Sequence, residues 1–297
     1  MFEKILVCVD PYAAPKFDLL PCAVPLKRLG AKAAVLAYVI PDDAHGLEKV
    51  LVSQVEPEMA RQKKILEETG FEVTIEMPSG YPAHVLNALA EKHDVSIILI
   101  GSHGQGLLES MILTAGALGN VSAKLLNSAG RPVLLSRITG PAEKSVRKEC
   151  PLFNHVLFAT DFSDAAEIAL PYLETMIQAA KIPVTLLHAR ECSRSHPGRD
   201  QRLPEPRNLD RNRLQRLKLW LEGLGAPEVK IELPQGDPGE EIVKQAKRHG
   251  CSLILMGTQG KGIAREILLG SVAHQVARHA EQPVLFVPAF SPPASNC

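Results

Sequence analysis

The sequence is poor in several features that would mark a function at once. Aromatic residues make up only 4% of 297 positions, with a single tryptophan, too few for a surface that stacks bases and so a point against a nucleic-acid partner. Neither sign of charge is in excess. The 33 basic residues balance 33 acidic ones, so no net field draws the chain to a polyanion or an anionic bilayer. No apolar run approaches the roughly twenty residues a membrane helix needs. The opening MFEKILVCVD has a short apolar run that ends at Asp10 with no small-residue cleavage site, unlike a signal peptide. Cys8, Cys22, Cys150, Cys192, Cys251 and Cys297 form no CxxC pair and no regular spacing. They read as reduced thiols, several of them buried. The expectation is a cytoplasmic protein.

What is present is written twice. KILVCVDP at 4–11 resembles HVLFATDF at 155–162, and AVLAYV at 34–39 resembles TLLHAR at 185–190. GYPAHVLNALAEKHDVSIILIGSHG at 80–104 parallels GDPGEEIVKQAKRHGCSLILMGTQG at 236–260, and RPVLLS at 131–136 parallels QPVLFV at 282–287. Elements recur in one order at offsets of 151 to 156, too long for a solenoid repeat, so a domain has been duplicated. In the second half the strands read HVLFAT, PVTLLHA, VKIEL, SLILMG and PVLFV, mostly continuous and aliphatic as strands buried on both faces are. Between them lie DAAEIALPYLETMIQAA, RNRLQRLKLWLEGLG, PGEEIVKQAKRHG and SVAHQVARHAE, with apolar residues at helical spacing. The fold class is α/β: two tandem doubly wound parallel five-stranded sheets, over 1–140 and 151–290. A polar linker near 139–154 joins them, and the tail SPPASNC is expected to be disordered. The fifth strands are edge candidates.

A doubly wound sheet takes ligands beyond the carboxyl ends of its strands, where the strand order reverses. Gly257 and Gly260 follow the fourth strand of the second half, and Gly270-Ser271 open its last helix. Glycine lets backbone approach a ligand, and a helix start offers unpaired N–H groups and partial positive charge. Together they form a main-chain phosphate cradle. Ser271 alone is also readable as a helix cap. The P-loop GxxxxGK[ST] is absent, and no GxGxxG follows the first strand.

With these residues in view, the sequence resembles the universal stress proteins. Nucleotide-binding members show G-x2-G-x9-G-[ST], which Gly257, Gly260, Gly270 and Ser271 match without a gap, and ATDFS at 159–163 is similar to their first-strand end. The resemblance covers both halves and implies an adenine nucleotide, ATP or AMP, with Mg²⁺ as a companion ion for ATP. It implies that Asp161 accepts from the adenine amino group, that Ala159 and Thr160 line the pocket, and that Ala189 meets the base through its backbone. Met256 and Gly257 would flank the ribose and Gly260 the phosphates, with Gly270, Ser271 and Val272 supplying phosphate-binding N–H groups and one hydroxyl. Without it, Asp161 reads as a turn or helix-start carboxylate. The resemblance also suggests that the fifth strands pair the halves as a pseudo-dimer. Association of two chains as a homodimer is left open.

The first half departs. Asp10, Gly101 and Gly104 are in place, but Thr114-Ala115 stands where the spacing calls for Gly-Ser. Aligned from RPVLLS backwards, Gly119-Asn120 falls opposite Gly270-Ser271, with a loop five residues longer. Asn caps a helix well, but the cradle is altered. His103 reads as a packing residue, and the histidines show no clustered metal-ligand spacing. Lys261 and Arg265 are placed to reach phosphates or simply to be solvated. The Arg-rich 190–207 reads as a surface loop, and GLEKVLVSQV at 46–55 as a short helix. Three classes of function stay open: a nucleotide-binding regulatory module, a slow ATPase, and a non-binding scaffold. With no catalytic pair or metal set in the motif, the first is expected.

Overall fold

The structure is a computed structural model and describes residues 1–10, 19–42, 46–102, 118–136, 151–190, 206–260 and 269–289. The first half runs β1 (Lys4–Cys8), α1 (Leu20–Ala23) with a 3₁₀ turn Val24–Leu29, β2 (Ala33–Ala37), α2 (Glu48–Glu68), β3 (Glu72–Glu76), α3 (Pro82–Lys92), β4 (Ile97–Gly101), α4 (Asn120–Ser128) and β5 (Val133–Ser136). The second runs β6 (Val156–Ala159), α5 (Asp164–Ala180), β7 (Val184–Leu187), α6 (Pro206–Gly223), β8 (Val229–Glu232), α7 (Pro238–Arg248), β9 (Leu253–Gly257), α8 (Ser271–His279) and β10 (Val284–Val287). The helix expected over 46–55 is the start of the 21-residue α2.

The ten strands of the described residues lie in one sheet, ordered β3-β2-β1-β4-β5-β10-β9-β6-β7-β8. Within each half every pairing is parallel, and β10 pairs β5 antiparallel, with Leu285 opposite Leu134. The two five-stranded sets thus form one sheet rather than two. The central strands are buried throughout: β5, β6, β7, β9 and β10 have no exposed residue. The outer strands β3 and β8 carry charged residues such as Glu72, Glu76 and Lys230, which blunts pairing with further strands. Alternate side chains of the eight inner strands enter two apolar clusters, one on each face. Ile5, Val7, Phe158 and Leu255 belong to one, and Leu6, Leu157, Ile254 and Phe286 to the other. This is the alternation expected of strands covered by helices on both sides.

Two further expectations change. Ala34 pairs Ile5 where Val184 pairs Val156, so the second strands correspond one residue earlier than the match of AVLAYV to TLLHAR. Tyr38 then stands opposite His188, and Ile40 opposite Arg190. Cys8 and Cys251 are free thiols, whereas Cys22 is disulfide-bonded, so the reading of reduced thiols fails there. Burial pushes the Cys8 thiol far up, and Cys251 up to about 11, since a thiolate is poorly solvated inside. No helix among the described residues is long and apolar enough to cross a membrane.

Candidate functional site

Strand order reverses between β6 and β9, because the chain leaves β6 toward β7 and β8 and returns to β9 on the other side. A cleft of about 700 Å³ opens there, at the carboxyl ends of β6, β7 and β9. Ala159, Thr160, Asp161, Ala189, Met256, Gly257, Gly260, Gly270, Ser271 and Val272 all line it. The structure therefore gathers these ten residues, from four separate segments, at one place.

The floor is built by β6. The Thr160 hydroxyl accepts from the Phe162 N–H (3.0 Å), and the Asp161 carboxylate accepts from the Ser163 N–H (3.0 Å) and hydroxyl. Ser163 in turn caps α5, accepting from Ala166. Asp161 thus holds the turn into α5, which is its structural reading. Phe162 takes the left-handed φ of 59°, a strain of about 1–3 kcal/mol for a bulky residue. The Thr160 hydroxyl and ring contacts with His188 (centroids 4.8 Å) and the Arg213 guanidinium (5.2 Å) hold it there.

The glycines differ in what they do. A Cβ on Gly257 would stand 2.8 Å from the Ala165 carbonyl oxygen, so β9 and the start of α5 meet backbone to backbone. A Cβ on Gly260 would stand 2.8 Å from Asp161 Oδ2, which sets that carboxylate against the glycine loop. Gly270 is the N-cap of α8, with φ −71° and ψ 160°, open to any residue. Its N–H donates to the Thr258 carbonyl at 2.7 Å. This corrects the donor set, because Gly270's own N–H is already committed. The free N–H groups at the helix start are those of Ser271, Val272 and Ala273, which have no acceptor within the helix. All three residues line the cleft. Ser271 is exposed at the first helical position and is not the cap.

Several lining residues lie outside the motif. His188 is nearly buried, its Nδ1 2.8 Å from the Thr160 carbonyl and its Nε2 3.7 Å from Asp210 Oδ2 of α6. Arg190 and Thr258 each bring a buried polar atom, Nε and Oγ1, with no hydrogen-bond partner among the described residues. Thr258 directly follows Gly257 and is legible as a hydroxyl beside the loop. Asp210 belongs to a polar helix face that looks like any other.

In the first half, the Gly119 N–H donates to the Ser102 carbonyl at 2.7 Å, the counterpart of Gly270 on Thr258, and Asn120 opens α4 as Ser271 opens α8. The alignment of Gly119-Asn120 with Gly270-Ser271 matches this geometry. Here, however, the Ser122 hydroxyl donates to the Gly101 carbonyl (2.6 Å), while the second half has Ala273. Asp10 follows β1 as Asp161 follows β6. Gly104, His103, Thr114, Ala115, Lys261 and Arg265 lie outside the described residues, as do 191–205, 137–150 and the tail.

These features define a duplicated, doubly wound α/β protein with a cleft at a switch point of its sheet. The sequence model of the Universal stress protein family matches residues 1–137 and 152–288, and the chain belongs to that family. Universal stress protein MJ0577 of Methanocaldococcus jannaschii is 34% identical over 155 residues, which cover 46% of this chain and 95% of that one. Universal stress protein Slr1230 of Synechocystis is 24% identical over 258 residues, covering 86% and 79%. A universal stress protein structure from Archaeoglobus fulgidus superposes with a TM-score of 0.73 at 21% identity, covering 97% and 98% of the two chains. That likeness shows the fold.

Proposed function

We propose that the chain is an adenine-nucleotide-binding regulatory protein with its working site in the second half. The observation that carries this reading is the convergence of ten residues, chosen by spacing and resemblance, on one cleft of about 700 Å³ at a switch point. In this reading the N–H groups of Ser271, Val272 and Ala273 take the phosphates of ATP or AMP, aided by the α8 dipole. Met256 and Gly257 flank the ribose, Ala159, Thr160 and Ala189 frame the base, and Asp161 Oδ2 accepts from its amino group. Mg²⁺ would accompany ATP. The first-half cradle, altered at Asn120 and Ser122, stays empty, so each chain holds one nucleotide. The β5–β10 seam serves as the pseudo-dimer contact between the halves.

The test is nucleotide content. Purified protein is denatured, released nucleotide is identified by chromatography, and moles per chain are counted. Titration calorimetry with ATP and AMP, with and without Mg²⁺, follows on the wild type and on Gly270→Val, whose backbone geometry admits valine. The expected result is about one adenine nucleotide per chain, lost in the variant. No released nucleotide and no binding at millimolar concentration would leave the scaffold reading in its place. Release of phosphate from added ATP over hours would support a slow ATPase.

A further inference from the structure

The charged residue that the cleft leaves unexplained is Arg190. Its backbone is fixed at the end of β7: the N–H donates to the Pro234 carbonyl (3.0 Å) and the carbonyl accepts from the Gly236 N–H (3.0 Å). The side chain lines the cleft, and Nε is buried without a hydrogen-bond partner among the described residues. Folded proteins rarely leave a buried donor unpaired, and least of all a charged one. Such a group is readily explained by an acceptor that arrives with a ligand.

The sheet order says which part of a ligand that is. From β9, beside the glycine loop, to β7 there are two strand-to-strand steps through β6. At about 4.8 Å each this is roughly 10 Å, comparable with the reach of a nucleoside from its 5′ oxygen to the far edge of its base. With phosphates on the start of α8, the base lies at the end of β7. A guanidinium only donates and a carboxylate only accepts. Adenine presents a donor amino group beside ring acceptors, whereas guanine presents an acceptor oxygen at the same carbon. Asp161 and Arg190 follow adjacent strands and line the same cleft. With Asp161 at the carbon-6 substituent, as in the reading above, the acceptor meets the adenine amino group and the donor beside it a ring nitrogen, while guanine would set its oxygen against the carboxylate.

We infer that Arg190 is the base-reading residue of this cleft: its guanidinium donates to a ring nitrogen flanking the adenine amino group and, with Asp161, selects 6-aminopurine over 6-oxopurine nucleotides. This rests on the reading of the cleft as a nucleotide site. In the first half the equivalent position is Ile40, held by the same backbone bonds to Pro78 and Gly80 and buried, so no such donor exists there.

The test is calorimetric titration of the full chain and of Arg190→Met, which keeps an apolar stem and removes the donors. ADP, GDP, 7-deaza-ADP, 1-deaza-ADP and tripolyphosphate are the probes, with thermal melting of both proteins alongside. Wild type should prefer ADP to GDP. Arg190→Met should melt no lower than wild type, since no side-chain bond to a described residue is lost, yet bind ADP about tenfold to hundredfold more weakly, the worth of one charge-assisted hydrogen bond. One deaza analogue should bind wild type with a similar deficit and bind the variant no worse than ADP does. Equal ADP affinity in the two proteins would overturn the assignment alone. So would a parallel loss for both analogues and tripolyphosphate, which would move Arg190 to the phosphates. A wild type that binds no purine nucleotide would overturn the cleft reading, and this inference with it.

Discussion

Gly257→Ala separates a glycine that the fold requires from one that a ligand requires. Gly257 closes β9, paired with Val287 of β10, and is buried. The added Cβ would lie 2.8 Å from the oxygen and 3.1 Å from the carbon of the Ala165 carbonyl, in the first turn of α5. That group is helix backbone and has no torsion of its own with which to turn away. Helix and strand must part by about half an ångström in a packed interior, and overpacking of this kind costs about 1–3 kcal/mol. Alanine stiffens the unfolded chain relative to glycine and recovers about 0.4–1 kcal/mol. The net is a loss of about 1–2 kcal/mol, read by urea denaturation as a lower midpoint at unchanged slope. Gly260→Ala is the matched comparison. Its Cβ would meet side chain rather than backbone, Asp161 Oδ2 at 2.8 Å, which can give by a few tenths of an ångström while Oδ1 keeps its bonds from Ser163. Its stability should stay within about 0.5 kcal/mol of wild type, while nucleotide affinity falls as the carboxylate is displaced. A Gly257→Ala protein as stable as wild type, or a Gly260→Ala protein equally damaged, would refute the reasoning.

Three further outcomes are expected. Thr258→Val removes a buried hydroxyl that has no partner among the described residues, so the apo protein should gain about 1 kcal/mol in urea; a loss would mean that the hydroxyl is satisfied in solution. Burial, and then the positive charges of Lys230 and His249, hold the His155 imidazole below its usual range. The unfolded chain therefore takes up this proton first, and stability is lost as pH falls below about 6.5 toward the lowered folded value. His155→Gln should flatten the melting temperature between about pH 7.5 and 5.5, and an unchanged slope would assign the acid sensitivity elsewhere. Cys251, pushed up to about 11 and 4% exposed, should resist iodoacetamide in the native protein at about pH 8 and react once urea unfolds the second half; rapid native labelling, located by peptide mass, would contradict that burial.

Much of this protein is fixed by pattern alone. Strands buried on both faces must be apolar along their whole length, so PVLFV and SLILMG stand out, and DAAEIALPYLETMIQAA coincides with α5 from end to end. Duplication made each half a check on the other, and the spacing Gly257, Gly260, Gly270, Ser271 marked the end of β9 because few side chains fit where backbone meets backbone. What pattern could not supply was relation across the sheet. Parallel pairing is non-local, so the one-residue shift that brings Ile40 opposite Arg190 becomes visible only in the hydrogen bonds to Pro78 and Pro234. The joining of two five-stranded sets into one sheet depends on which edges meet, and each edge alone reads the same either way. A glycine at a helix start looks like a free donor until the fold sets the Thr258 carbonyl 2.7 Å from it. Asp210 and Arg190 are ordinary polar residues in the chain. They become part of a site because α6 and β7 converge on the cleft, and burial then gives their charges a consequence that sequence position does not.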